Sequence, residues 1–97
     1  MPEPKVLAQQ YGAGNIPVNR VNIGFVTTPL CENIHRRRAF EQPLDEFLHG
    51  SAAGEVPLER FGTVGEVSGI VAFLAGSRSS YITGAVIDVA GGMGKYV

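Results

Sequence analysis

The sequence has little of what most reaction chemistries require. It carries one cysteine, Cys31, so no internal disulfide and no multi-cysteine metal site can form. A nucleophilic thiol would need an activating base, and no residue stands out as one, so Cys31 is expected to be a partly buried small apolar residue. The two histidines, His35 and His49, belong to no carboxylate–histidine motif; they read as surface residues and no metal site is expected. No nucleophile-elbow pattern supports a Ser–His–Asp triad. Charge of one sign is also scarce, with a formal net charge of −1. Arg36-Arg37-Arg38 is the only basic cluster, too short for a nucleic-acid patch, and is expected to be a solvated helix face. No apolar run approaches the length of a membrane span, and no signal-peptide pattern opens the chain. These absences predict a soluble, cytoplasmic protein with no nucleic-acid or membrane partner.

The 97 residues allow one domain at most. At 44% hydrophobic and 18% charged the chain is not composed like a disordered segment. Its 13 glycines fall in clusters, at Gly12 and Gly14, at Gly62 to Gly69 and at Gly91 to Gly94, which marks turns and close backbone approaches rather than a linker.

Taken in order, Lys5 to Tyr11 suits the end of a helix that Gly12 to Gly14 stops. Ile16 to Val26 reads as a strand running into a loop, although Pro17 removes a ladder donor and Arg20 needs a partner, solvent or an edge position. Thr28 and Pro29 suit a helix cap and first helical position. Leu30 to Phe40 and Pro43 to His49 read as two short helices, the second with Leu44, Phe47 and Leu48 on one face and Gly50 ending it. Ser51 to Glu55 reads as small and flexible, and this middle region as a mobile excursion outside the core. Thr63-Val64-Gly65-Glu66 matches a capping box, and Val67, Ile70, Val71 and Leu74 then follow helical spacing to the stop at Gly76. Tyr81 to Val89 reads as a strand with Ala85, Ile87 and Val89 on one face and Val86 and Asp88 on the other. Gly91-Gly92 ends it in a turn, and Met93 to Val97 forms a short tail. A helix, a tight turn and an apolar strand make an α/β unit that needs a larger sheet to pack against.

Two stretches carry a resemblance. Val18-Asn19-Arg20-Val21-Asn22-Ile23-Gly24-Phe25-Val26-Thr27-Thr28-Pro29 is similar to the strand and loop that pass under the nicotinamide in short-chain dehydrogenases/reductases. Arg60-Phe61-Gly62, Glu66-Val67, Phe73-Leu74-Ala75, Tyr81-Ile82-Thr83-Gly84 and Gly91-Gly92 resemble, in order and spacing, the C-terminal helix and strand of that family. The match runs through nearly all of Val6 to Gly92. Ile23 stands where the family usually has Pro, Arg20 where a small apolar residue is usual, and Ala90 where Asp is usual.

The resemblance implies an α/β fold class: the C-terminal part of a Rossmann-like doubly wound parallel sheet, about two strands plus helices, incomplete as given. Residues 1–97 would form one segment of that domain, with 30–55 as the substrate lid and 60–92 as the final helix and strand. It implies cofactor-binding roles for Ile23, Gly24, Val26 and Thr28, the backbone at Ile23 and Val26 meeting the nicotinamide carboxamide and Thr28 lying near carboxamide and phosphates. The cofactor implied for the complete protein is NAD or NADP, the substrate a small-molecule alcohol or carbonyl, and the assembly a homo-oligomer through the last helix and strand. Hydride transfer in the family needs a Tyr, a Lys four residues later and a Ser. Here Tyr11 is followed at that spacing by Asn15 and Tyr81 by Ala85, and the only lysines are Lys5 and Lys95. The Gly-rich dinucleotide motif is absent too. The expected function is therefore that of a fragment of an NAD(P)-dependent oxidoreductase, with no catalytic residues of its own and inactive alone. The alternative is a non-enzymatic interaction module that forms mixed oligomers with full-length relatives.

Overall fold

Glycine turns and helix caps divide the chain into short elements. The computed structural model describes residues 3–38 and 41–94. Helix α1 (Pro4–Tyr11) starts on a proline, whose missing N–H costs nothing in a first turn, and runs into a 3-10 turn at Gly12–Gly14. Strand β1 (Arg20–Ile23) follows, then α2 (Pro29–Arg38), α3 (Leu44–Ala52), α4 (Val64–Ala75), a 3-10 turn at Ser77–Ser79 and strand β2 (Val86–Val89). The two strands are parallel, with Arg20 opposite Val86 and Ile23 opposite Val89. The fold class is α/β, and among the described residues the sheet has two strands.

Both strands are shorter than the apolar patterning predicts. Before β1, the Asn19 side chain takes over the bonding that a longer ladder would supply. Its amide donates to the Ile82 carbonyl at 3.3 Å, and its carbonyl oxygen accepts from the Ala85 N–H at 2.9 Å. After Ile23 the chain bends at Gly24 and touches Gly62 through a single bridge at Val26. Before β2, residues 81–85 form a turn in which Gly84 adopts φ +77°. The alternation of β2 is as expected, Val86 and Asp88 exposed and Ile87 and Val89 half-buried. Arg20 finds no partner for its buried Nε among the described residues, and β1 has β2 on one side only.

Helix α3 runs past Gly50 to Ala52, and the middle region is not outside the core. Ala52 is fully buried and packs with Val56, Ala90 and Met93, while Phe25 and Phe61 lie against that cluster. Burial of Ala52 offsets the cost of a glycine inside the helix, about 1 kcal/mol. Met93 likewise belongs to this cluster and not to a free tail. The final two residues of the expected helix Leu30 to Phe40, and the residues beyond Gly94, lie outside the described residues.

The capping box at α4 forms as its sequence predicts. The Thr63 hydroxyl accepts from the Glu66 N–H at 3.1 Å, and the Glu66 carboxylate accepts from the Thr63 N–H at 3.0 Å. Arg60 adds a two-pronged pairing, both guanidinium nitrogens lying 2.9 Å from the Glu66 oxygens. Hydrogen bonds from Arg60, then from the Thr63 backbone, hold the Glu66 carboxyl down at about 2 from an ordinary value of 4.5. A depressed carboxyl contributes stability that is complete above the unfolded value and disappears as pH falls through the folded one. The start of α4 should therefore loosen between pH 4.5 and about 2. Carboxyl-detected NMR should follow Glu66 titrating in that window, and Arg60→Gln should raise its midpoint. A midpoint of 4.5 in the unaltered chain would contradict the pairing.

Helix α4 is apolar almost all round, yet none of its residues is buried. Val67, Ile70 and Leu74 are half-covered, whereas Val71 on the expected inner face is 48% exposed. The chain measures 56 × 24 × 20 Å with a radius of gyration of 16.8 Å, against about 13 Å for a compact domain of 100 residues. Its accessible surface is 6938 Å², where a compact monomer of this mass exposes about 5,400 Å². The elements are well formed, but among the described residues no layer covers α4.

Candidate functional site

Parallel strands deliver their following loops to the same end of the sheet, where open α/β sheets bind ligands. Here β1 delivers residues 24–28 and β2 delivers the turn at residues 90–93, and the two pack closely. The Gly24 N–H donates to the Val89 carbonyl at 3.0 Å, and a side chain on Gly24 would collide with Ala90. The loop is tied further by the Gly62 N–H donating to Phe25 and the Thr27 N–H donating to Gly62, both at 2.9 Å. The Phe25 and Phe61 rings stack beside it with centroids 5.3 Å apart.

Thr28 precedes Pro29 at the first position of α2, and its carbonyl accepts from the Cys31 N–H at 2.9 Å. Its hydroxyl sits 3.8 Å from the Cys31 sulfur, and that thiol lies 3.5 Å from the Val26 carbonyl. Cys31 is free and half-buried, as the sequence suggests. Gly24, Val26 and Thr28 line one open cavity of about 400 Å³, together with Ile34 of α2 and Phe47 of α3. Ile23 does not line it; this residue is half-exposed at the end of β1. The two helices are joined by the His35 ring, which packs 5.4 Å from Phe47 and hydrogen-bonds the Gln42 carbonyl. His35 is thus a half-buried contact between α2 and α3, while His49 is exposed.

Patterning within α3 already nominates Phe47 and Leu48 as one face, and both reach the cavity. The pairing of the Phe25 and Phe61 rings was not legible, because no periodicity links two residues so far apart in sequence. Tyr81 is fully exposed on a turn, and the described residues hold no tyrosine–lysine pair at catalytic spacing. They also hold no cluster of three metal-ligating side chains, and no helix long and apolar enough to cross a membrane.

This arrangement recurs in known proteins. A family model described as enoyl-(acyl carrier protein) reductase matches residues 4–94. The chain belongs to the short-chain dehydrogenase/reductase family. The 3-oxoacyl-[acyl-carrier-protein] reductase of Thermotoga maritima is 38% identical over 89 residues, covering 92% of this chain and 32% of the relative. Oxidoreductase UcpA of Escherichia coli O157:H7 is 39% identical over 88 residues, covering 91% and 33%. Among solved structures, a short-chain oxidoreductase of Pseudomonas aeruginosa PAO1 with an atypical catalytic centre superposes with TM-score 0.86 at 27% identity, covering 97% of this chain and 37% of that one. The L-sorbose reductase of Gluconobacter frateurii, solved with NADPH and L-sorbose, gives 0.77 at 28% identity, covering 97% and 36%. The chain thus spans about a third of the length of the curated short-chain reductases it matches. Its two-stranded sheet is part of a Rossmann-like one.

Proposed function

We propose that residues 1–97 act as the C-terminal segment of an NAD(P)-dependent oxidoreductase that interconverts an alcohol and a carbonyl. In this reading the loop holding Ile23, Gly24, Val26 and Thr28 is one wall of the nicotinamide site, and residues 30–55 are the lid over a small-molecule substrate. The observation that carries it is the shared cavity, in which three of those four residues meet the lid helices at the carboxyl end of the strands. A hydroxyl beside the start of α2 suits an amide or a phosphate oxygen. These residues bind and orient, while proton donation and carbonyl polarisation belong to groups this chain lacks, so the chain alone is inactive. The free Cys31 thiol fits a reducing compartment such as the cytoplasm.

Residues 60–92 supply the final helix and strand, and we assign to them a homo-oligomer contact. The uncovered apolar surface of α4 supports that assignment. It also supports the second reading, a module that joins full-length relatives without chemistry of its own.

The test is a chimera in which residues 4–94 replace the matching segment of the Thermotoga maritima reductase. The folded chimera should reduce a carbonyl with NADPH, and Thr28→Val should raise KM for NADPH by about two- to tenfold, the worth of one hydrogen bond. A folded chimera that turns over yet ignores Thr28→Val would remove Thr28 from the site. A folded chimera that binds no cofactor would leave the interaction module.

A further inference from the structure

Helix α2 changes character along its length, from residues that line the cavity to charged residues beyond its lining. Leu30 and Ile34 line the cavity with Phe47 and Leu48 of α3 opposite them, and the lining is apolar apart from Thr28 and Ser51. Residues three and four positions on from Ile34 occupy the same helix face, and these are Arg37 and Arg38. Both are exposed, and neither has an ion-pair or hydrogen-bond partner among the described residues. Arg36, on the other flank, is hydrogen-bonded to Asn33. Ten residues of helix separate Thr28 from Arg38, a span of about 15 Å. From the loop outward the cavity offers a hydroxyl and then an apolar trough, and the two cations lie about one helical turn beyond Ile34, outside the cavity's lining.

We infer that this cavity takes an amphiphilic anion: an unbranched apolar chain lying between α2 and α3, with a carboxylate or phosphate group at Arg37 and Arg38. The inference rests on the proposed function, which makes the Thr28 end the reacting end. A polyol would leave its hydroxyls unpaired against Leu30, Ile34 and Phe47, which disfavours it by the cost of burying polar groups without partners. An uncharged alkane would gain from the trough and nothing from the arginines. Cations at a helix C-terminus also stabilise the helix itself. That role changes helicity and leaves ligand choice untouched, so the two can be separated.

The experiment titrates the 97-residue chain, labelled with 15N, with octyl phosphate, octanoate, octyl glucoside and butyl phosphate. Octyl phosphate should shift the amides of residues 30–38 and 47–51 and bind about fivefold or more tightly than octyl glucoside, with the gap closing as salt is added. Butyl phosphate, too short to reach from trough to arginines, should bind more weakly than octyl phosphate. The double variant Arg37→Gln/Arg38→Gln, its helicity checked by circular dichroism, should bring octyl phosphate to the level of octyl glucoside and leave octyl glucoside unchanged. The order of octyl phosphate and octanoate tells a phosphate head from a carboxylate. Equal binding of octyl phosphate and octyl glucoside, a gap that survives the double variant, or no binding of any octyl probe would overturn the inference. A chimera that fails to bind NADPH while octyl phosphate still binds here would sink the cofactor reading alone.

Discussion

Replacing Gly91 with alanine should be among the most damaging single changes in this chain. Gly91 adopts φ +62°, a left-handed conformation that costs an L-residue about 1–2 kcal/mol. A Cβ there would lie 2.6 Å from Cγ1 of Val56, closer than any carbon contact allows. Val56 cannot swing away cheaply, because it is 3% exposed and its β-branched side chain is stiff. Overpacking of this kind adds about 1–3 kcal/mol, so the total reaches about 2–5 kcal/mol. The turn also carries the Gly91 carbonyl that accepts from the Leu58 N–H at 3.0 Å. Hydrogen exchange at Leu58, Val56 and Met93 should accelerate together in Gly91→Ala, while exchange in α1 stays near its original rate. Unchanged exchange at Leu58 would show that the strand-end turn does not depend on this backbone conformation.

Gly24→Val should act at the same end of the sheet by a different route. The backbone angle is unremarkable there, and the obstacle is space: a Cβ would meet Ala90 Cβ at 2.8 Å and its Cα at 3.0 Å. The second of these atoms is backbone, so β1 and the turn after β2 must part. The bond from the Gly24 N–H to the Val89 carbonyl would be lost with them. The loss is about 1–3 kcal/mol from overpacking and about 1 kcal/mol from the hydrogen bond. In the chimera, NADPH binding should fall along with thermal stability, because the loop that lines the cavity moves. A stable Gly24→Val chimera with normal NADPH affinity would separate Gly24 from both sheet closure and the cofactor wall.

Local rules were legible in the sequence; long-range partners were not. The Thr63–Glu66 capping box and the alternation of Val86 to Val89 each rest on residues within a few positions, and both appear as the patterns predict. The strand expected over Ile16 to Val26 contracts to four residues, since Asn19 satisfies the backbone at Ala85 through its side chain. No periodicity signals that substitution. The core was misplaced for a related reason. Ala52 and Val56 gain their burial from Ala90 and Met93, distant in sequence, and small residues near glycines look like loop until that contact is known. Within the candidate site, the apolar face of α3 could be read from spacing. The convergence of Gly24, Val26 and Thr28 with that face on one cavity could not, because only the fold brings the elements together. Helix α4 is the converse case: its pattern promises an inner face, and the described residues leave that face unburied.

In the function proposed above, this segment works as part of a larger reductase domain. The most direct test is the intact mass, by denaturing mass spectrometry, of the polypeptide in its source that carries these residues. A polypeptide mass well above 10.3 kDa is expected, with NAD(P)H-dependent carbonyl reduction tracking that species through fractionation. A polypeptide of 10.3 kDa, free of any reductase activity, would contradict it and leave α4 as the contact surface of a non-enzymatic partner.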